Sequence, residues 1–181
     1  MKKSLFVLLA ILAVLSFPAF AQGGGESASP KIGFMGPMSG DYANYGVLSN
    51  NSAMLAVEQF NAKGGFGGKL PVVLVTEDSE GRVEKGLSSI EKLSSSDKIV
   101  GLIGPVLTGT SFAVGERVQN EGIVMISPSA THADITNIGD YVFRTVVSDG
   151  LQGEVAGHYF YDKLGYRTIG VLYAKNDYSQ G

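Results

Sequence analysis

The chain has 181 residues, of which 44% are hydrophobic and 17% charged, and it contains no cysteine. This composition excludes an intrinsically disordered chain, and the missing cysteine excludes disulfide frameworks, zinc knuckles, iron–sulfur clusters and a catalytic thiol. The formal net charge is −3, with the basic residues scattered among the acidic ones. A nucleic-acid partner is therefore not expected, because such partners are bound mainly by clustered Lys and Arg.

The first 21 residues contain the three parts of a secretory signal peptide in order. Met1-Lys2-Lys3 is positively charged, Leu5 to Phe17 is apolar, and Ala19-Phe20-Ala21 provides the small residues of a cleavage site. The apolar run is shorter than the roughly 20 residues that span a bilayer. We therefore expect cleavage after Ala21 and export to a bacterial periplasm, with residues 22–30 forming a flexible leader.

From Lys31 onward, apolar runs alternate with amphipathic segments. The predicted strands are 31–35, 70–75, 99–103, 123–126 and 168–173, and the predicted helices are 47–61, 82–94, 111–119 and about 150–164. The strands are continuously apolar, which is typical of a sheet covered on both faces. The sequence therefore predicts an α/β fold with a doubly wound parallel sheet.

The predicted elements divide unequally along the chain. Residues 31–141 are long enough to form one α/β lobe, and residues 142–181 then hold a crossing segment, one helix and one strand. Two elements bury too little surface to be stable alone, so we expect this second part to be only the start of another lobe. The spacing of Asp149 and Gln152 predicts a capping box at the start of its helix.

The predicted carboxyl ends of the strands carry three candidate binding loops, at 36–46, 104–111 and 127–131. Ligands of open α/β sheets bind at such loops. The second loop leads directly into a helix, whose first backbone N–H groups favour an anion, and Thr108-Gly109-Thr110-Ser111 adds hydroxyl donors. A small carboxylate could be held there without arginine. Alternatively, the hydroxyls are helix caps, and spacing alone favours that interpretation.

Several motifs occur in order over the last 150 or so residues. They include Gly36-Pro37-Met38-Ser39-Gly40, Asn61-Ala62-Lys63-Gly64-Gly65, Leu102-Ile103-Gly104-Pro105, Ile126-Ser127-Pro128-Ser129-Ala130-Thr131, Phe143-Arg144-Thr145 and Asn176-Asp177-Tyr178-Ser179-Gln180-Gly181. In this order the motifs resemble those of the periplasmic amino-acid-binding proteins of the Leu/Ile/Val-binding family, the solute receptors of ABC importers. The resemblance implies two lobes around a cleft, with this chain covering the first lobe and the beginning of the second.

The resemblance also implies a function and a set of site residues. A monomer would capture a branched-chain or related amino acid by hinge closure and deliver it to an ABC transporter permease. By position, Thr108 matches the hydroxyl that holds the ligand carboxylate, Ser129 a backbone contact, and Thr131 a contact through hydroxyl and amide. Tyr45 matches an aromatic residue of the cleft wall, and Tyr178 a second-lobe aromatic residue that covers the ligand.

The chain departs from the family in two respects. The cysteines that some members pair are missing at Leu107 and after Asp78. Family members are also roughly twice as long, so the acidic residue that usually meets the ligand ammonium would lie beyond Gly181.

Two other functional classes are alternatives to a transport receptor. A ligand-sensing receptor in signalling would share the lobes and be distinguished by a membrane segment. An enzyme is not expected, because the chain lacks a nucleophile elbow, a paired-acid motif and a zinc-protease motif, and no cofactor or metal is predicted. Ser95 to Lys98 reads as a polar helix end rather than a catalytic pair. The two histidines are interpreted as an exposed loop residue, His132, and a solvent-facing helix residue, His158.

Overall fold

The computed structural model of the chain describes residues 29–180. The predicted signal peptide and all but the end of the predicted leader lie outside the described residues. The elements in chain order are β1 (Lys31–Gly36), α1 (Ala43–Ala62), β2 (Val73–Asp78), α2 (Val83–Glu91), β3 (Gly101–Ile103), α3 (Thr108–Glu121), β4 (Val124–Ser127), β5 (Val142–Arg144) and α4 (Asp149–His158). π-Helical segments at Lys92–Asp97 and Tyr159–Lys163 continue α2 and α4, and a 3-10 helix (Ala133–Asn137) precedes β5.

The strands form one five-stranded sheet in the order β2-β1-β3-β4-β5, and all neighbouring strands are parallel. This confirms the predicted α/β architecture. Each crossover between parallel strands passes over a face of the sheet, which places all the strand-to-helix loops at the same edge. The candidate binding loops therefore converge at the carboxyl ends of the central strands.

The core divides into two clusters, one on each face of the sheet. The larger cluster lies under α2 and α3 and includes Met35, Ile90, Leu93, Leu102, Val114, Val118, Met125 and Val142. The smaller cluster joins Phe34, Ala53 and Val106 beneath α1. Because α1 covers only part of its face, Ile126 and Phe143 in the last two strands stay partly exposed.

The apolar stripe predicted for the second helix is only half buried. Ile90 and Leu93 lie in the core, whereas Val83 and Leu87 are exposed by more than a third of their surface. Val83 is the first residue of α2 and faces the loops at the edge of the sheet, so the core begins one turn later. The apolar stripe thus predicts which face of the helix points to the core, but not how many turns of that face are buried.

The second strand lies three residues later than the predicted 70–75, at Val73–Asp78, and two further strand predictions differ from the structure. Residues 168–173 form no strand, and Leu172 is fully exposed. A strand needs a neighbour for its backbone N–H and C=O groups, and the residues described supply none there. Conversely, the short strand β5 pairs with β4 but was not predicted, because it has only three residues and ends in an arginine.

The helix starts also differ from the prediction. Helix α1 begins at Ala43 and α3 at Thr108, both earlier in the chain than the apolar periodicity indicates. For α4 the capping residue is Ser148, whose hydroxyl accepts a hydrogen bond from Leu151 N–H at 3.3 Å. Asp149 instead accepts from Gln152 Nε2 at 3.4 Å within the first turn. The cap prediction was therefore wrong by one residue.

Candidate functional site

A cavity of about 350 Å³ lies at the carboxyl edge of the sheet. Its walls come from the loops after β1, β2, β3 and β4 and from residues 176–178. The lining residues are Tyr42, Tyr45, Gly81, Val83, Val106, Leu107, Thr108, Gly109, Thr110, Ser129, Asn176, Asp177 and Tyr178. Its volume is at the lower end of the range for small-molecule sites.

The cavity brings together four of the five residues singled out in the sequence. Tyr45, Thr108, Ser129 and Tyr178 all line it, although they come from four separate stretches of the chain. Thr131 is not among the lining residues. Sequence reasoning did not find Tyr42, Val83 or Asp177, and only the motif around Tyr178 could have drawn attention to Asp177.

One end of the cavity is the N-terminus of α3. The N-cap position is Leu107, whose side chain cannot cap, and the first helical hydrogen bond runs from Ser111 N–H to the Leu107 carbonyl at 2.9 Å. The N–H groups of residues 108–110 precede that bond, and the helix dipole makes this end electropositive. Thr108 and Thr110 are buried there. The end of the cavity at α3 therefore suits a small anion.

The hydroxyls around this end are not N-caps, contrary to the interpretation that spacing alone favours. Thr108 lies inside the first turn of α3, one residue after the cap position. Ser111 Oγ turns back and donates a hydrogen bond to the Pro105 carbonyl at 3.1 Å. Thr108 is thus the first residue of α3 and one of the residues that line the cavity.

Two serines, Ser127 at the end of β4 and Ser129 in the loop after it, hold the loop before α3 in place. Ser127 Oγ donates to the Pro105 carbonyl at 2.6 Å and accepts from Ala130 N–H at 3.0 Å. Ser129 Oγ donates to the Val106 carbonyl. The hydroxyls of Ser127 and Ser129 therefore bond to backbone groups of this protein. The predicted contact of Ser129 with a ligand, through the Ser129 backbone, stays a prediction.

Thr131 lies beside the start of α4 rather than on the cavity wall. Its carbonyl accepts hydrogen bonds from Asp149 N–H at 2.9 Å and from Arg144 Nη1 at 3.1 Å. Thr131 Oγ1 and Asp149 Oδ2 are both buried without a hydrogen-bond partner among the residues described. Buried polar atoms are normally paired, so this pair of oxygens is unusual.

The other walls of the cavity are aromatic and apolar. Gly81 adopts φ +69°, and a Cβ there would lie 3.1 Å from Tyr42 Cδ2 and 3.3 Å from Leu107 Cδ1. The absence of a side chain at Gly81 lets the Tyr42 ring and the Leu107 side chain approach each other across the loop. Together with Val83 and Val106 they form an apolar wall. The cavity therefore combines an electropositive end with an apolar region.

Asp78 ties together two of the loops that frame the cavity. Its Oδ1 accepts from Met38 N–H and from Glu80 N–H, each at 2.7 Å, and its Oδ2 accepts from Ser39 Oγ at 2.6 Å. Burial works to raise the pKa of Asp78, but the hydrogen bonds from Ser39, Glu80 and Met38 outweigh it and leave the pKa below its ordinary value. The carboxylate thus fixes the loop that leads to Tyr42 against the loop that carries Gly81.

We expect Asp78→Asn to destabilise the protein by about 1–2 kcal/mol at pH 7, since the amide carries no charge and its nitrogen cannot accept the hydrogen bond from Ser39 Oγ. A carboxyl whose pKa is lowered on folding contributes stability above its ordinary pKa of 3.8. That contribution is lost as the pH falls through the lowered value. Urea unfolding between pH 7 and pH 3 should therefore show the two proteins converging in acid.

The matched control for that experiment is Glu77→Gln, which removes a neighbouring carboxylate that pairs with Lys92 on the surface. An exposed pair of this kind contributes about 1 kcal/mol at most, so this variant should stay close to the wild type. A destabilisation of Asp78→Asn that stays constant with pH would contradict the role of the ionised carboxylate.

The histidines have no place in the cavity. His132 was expected to be exposed, but it is only partly so: its Nδ1 accepts from Asp134 N–H at 3.2 Å, and its ring packs edge-to-face on Phe112. The ring caps the 3-10 helix, which explains its burial. His158 is solvent-facing as predicted and lies 3.2 Å from Asp162.

Within residues 29–180 no group of His, Cys, Asp and Glu is arranged to hold a metal ion. Over the same range, none of the helices combines the length and the apolar character needed to cross a bilayer.

The family of the chain follows from comparison with known proteins. A family model described as periplasmic binding protein matches residues 29–181. The chain belongs to this family. The family is one of substrate-binding proteins and is not an enzyme family. The resemblance to Leu/Ile/Val-binding proteins noted in the sequence is thereby confirmed.

Curated relatives of this family member are amino-acid-binding proteins. The leucine-, isoleucine-, valine-, threonine- and alanine-binding protein of Pseudomonas aeruginosa is 30% identical over 182 residues, covering 100% of this chain and 48% of the relative. The Leu/Ile/Val-binding protein BraC3 of Rhizobium johnstonii is 33% identical over 172 residues, covering 94% of this chain and 45% of the relative. The chain thus spans about half the length of these relatives.

Solved structures of related proteins agree in fold. The branched-chain amino acid transporter substrate binding protein LivJ from Streptococcus pneumoniae, in complex with isoleucine, is 33% identical with a TM-score of 0.70, covering 76% of this chain and 39% of that one. An ABC transporter substrate-binding protein from Desulfitobacterium hafniense in complex with Leu is 28% identical with a TM-score of 0.72, covering 84% of this chain and 44% of that one.

Proposed function

We propose that this periplasmic binding protein is the receptor of an ABC importer and captures a branched-chain or related amino acid without changing it. The observation that carries the proposal is the two-part cavity, in which the N-terminus of α3 with Thr108 faces an apolar wall. An α-carboxylate suits the first part and an aliphatic side chain the second. The relatives and solved structures described as binding branched-chain amino acids support the same ligand class.

The mode of capture follows from where the cavity walls originate. Most of the walls belong to the loops of the parallel sheet, whereas Asn176 to Tyr178 come from the segment after α4. A ligand that touches both parts favours the conformation in which they are close, which is the logic of hinge closure. Delivery to a permease in the membrane, a periplasmic location and a monomeric state are further parts of this proposal.

The affinity expected for such a receptor follows from its few polar contacts. Each charge-assisted hydrogen bond contributes about 1.5–3 kcal/mol. Several of these bonds, set against the cost of ordering the ligand and the loops, leave roughly −8 kcal/mol, which corresponds to a micromolar dissociation constant.

Thr108→Ala tests the carboxylate end of the cavity. We expect the dissociation constant for L-leucine, measured by isothermal titration calorimetry on the intact protein, to rise about tenfold or more, since a hydrogen bond to a charged group is lost. Thr136→Ala is the matched control, because Thr136 is exposed and lies in the 3-10 helix away from the cavity lining. Unchanged leucine affinity in Thr108→Ala would remove the carboxylate assignment.

A further inference from the structure

Three loops of the sheet meet at a glycine in the apolar wall of the cavity. Tyr42, Gly81 and Leu107 line the cavity from the loops after β1, β2 and β3. A Cβ built on Gly81 would lie 3.1 Å from Tyr42 Cδ2, 3.3 Å from Leu107 Cδ1 and 3.8 Å from Pro37 Cβ. The position that a side chain at residue 81 would take is thus enclosed by three other side chains, and the Tyr42 ring packs there because residue 81 is glycine.

Of these side chains, Tyr42 is the one with the most freedom to move. Pro37 is fully buried, and Leu107 packs against the core cluster beneath α1. The turn that carries Gly81 is anchored by the Asp78 carboxylate through the neighbouring Glu80 N–H. Tyr42 in contrast is 50% exposed. The contact with Gly81 therefore decides where the Tyr42 ring lies, and any group added at residue 81 displaces that ring first.

The ring lies on the side of the cavity that a long ligand side chain would reach. The carboxylate is expected at Thr108, and the adjacent Leu107 side chain runs from there to the point where it approaches the Tyr42 ring. A methyl side chain would end close to the carboxylate. A leucine side chain would extend along the apolar wall, where an aromatic ring offers a large apolar contact area.

We propose that the Tyr42 ring, positioned by Gly81, is a specificity-determining contact that makes the cavity prefer a leucine-sized side chain over that of alanine. This inference rests on the proposed function, because it takes the carboxylate to be held at Thr108. Each additional methylene group that is removed from water raises the affinity roughly fourfold. A longer aliphatic side chain packed against the ring therefore gains at least about tenfold over alanine.

The test is calorimetric titration of the intact protein with L-leucine, and with L-alanine in competition with leucine. For the wild type we expect leucine to bind at least about tenfold more tightly than alanine. Tyr42→Ala should weaken leucine binding about tenfold and change alanine binding by less than about twofold. Tyr42→Phe keeps the ring and should keep the preference. Gly81→Ala displaces the ring and should also weaken leucine more than alanine.

Two control variants separate the contact from general effects. Gly67→Ala places alanine at another glycine of the left-handed region, φ +59°, where no atom lies within 4 Å of the added Cβ. It carries the same kind of backbone strain as Gly81→Ala and should leave both affinities unchanged. Tyr161→Ala removes a tyrosine that is 58% exposed and lies outside the cavity lining, and it should also leave both affinities unchanged.

The possible results distinguish this inference from the proposed function. Equal weakening of leucine and alanine in Tyr42→Ala would mean that the ring only supports the fold of the site, and it would overturn the inference. A wild type that binds alanine as tightly as leucine would do the same while leaving the proposed function intact. If the wild type binds no amino acid of a full panel, the proposed function fails, and this inference fails with it.

Discussion

Gly46→Ala is expected to be among the most damaging single methyl additions in the site region. Gly46 is buried in the first turns of α1, and a Cβ there would lie 2.0 Å from the Pro37 carbonyl oxygen and 2.5 Å from its carbon. These atoms are backbone, so no side chain can move away to relieve the overlap. Overpacking a core typically costs about 1–3 kcal/mol, and we expect this change to exceed that range.

The consequence for binding follows from what α1 carries. Tyr42 and Tyr45 lie at its start and line the cavity, and the Pro37 loop is the one that Asp78 anchors. Pushing α1 away from Pro37 moves both aromatic walls. We therefore expect Gly46→Ala to lose leucine binding in calorimetry and to unfold at a lower urea concentration than the wild type.

The matched control is Gly153→Ala in α4, where no atom lies within 4 Å of the added Cβ. Alanine is favoured over glycine inside a helix by about 1 kcal/mol, so this variant should be as stable as the wild type or slightly more so. A Gly46→Ala protein with wild-type stability would show that α1 does not pack on the Pro37 loop as described.

The sequence was sufficient to predict the sheet because its strongest signals are local. Continuous apolar runs and helical stripes are properties of short windows, and they correctly gave a parallel sheet with alternating helices. The errors occur where a contact with a residue distant in the sequence decides whether a segment forms a strand. Residues 168–173 have the apolar composition of a strand, yet they can form one only beside a neighbouring strand. A short stretch of sequence does not reveal whether that neighbour exists. Strand β5 has weak local character and exists because β4 offers it an edge.

The candidate site was predicted less completely for a related reason. Thr108 could be singled out because a hydroxyl-rich loop before a helix is visible in the sequence. Its position inside the first turn, with Leu107 at the cap, depends on how the Pro105 carbonyl is held by Ser111 and Ser127. Asp177 lies beside Gly109 although the two are 68 positions apart in the sequence, which spacing cannot show.

The two faces of the sheet contribute differently to the site. The cluster under α2 and α3 is the larger, and it anchors β3, the strand that leads into the loop before α3. The position of Thr108 and of the first amides of α3 therefore depends on that cluster. A void created in this cluster by a smaller side chain should therefore affect the binding site by lowering the stability of the fold. It should not remove a direct contact with the ligand.

Leu102→Ala measures that dependence. Leu102 is 2% exposed in the middle strand β3. Truncating a leucine in such a core typically costs about 2–5 kcal/mol, because the apolar contacts are lost and the cavity fills only in part. Against a total stability of about 5–15 kcal/mol, this is a large fraction. We expect a clear fall in the urea midpoint, measured by circular dichroism, with little change in the slope.

Leu48→Ala is the matched control for this change, since Leu48 is 66% exposed on α1 and loses few packed contacts. Its stability should lie within about 0.5 kcal/mol of the wild type. At leucine concentrations well above the dissociation constant, ligand stabilises only the folded state, so bound Leu102→Ala should regain part of its midpoint. Equal costs for the two leucines would mean that β3 is not the buried centre of the sheet, and the loop that carries Thr108 would then lack the support described above.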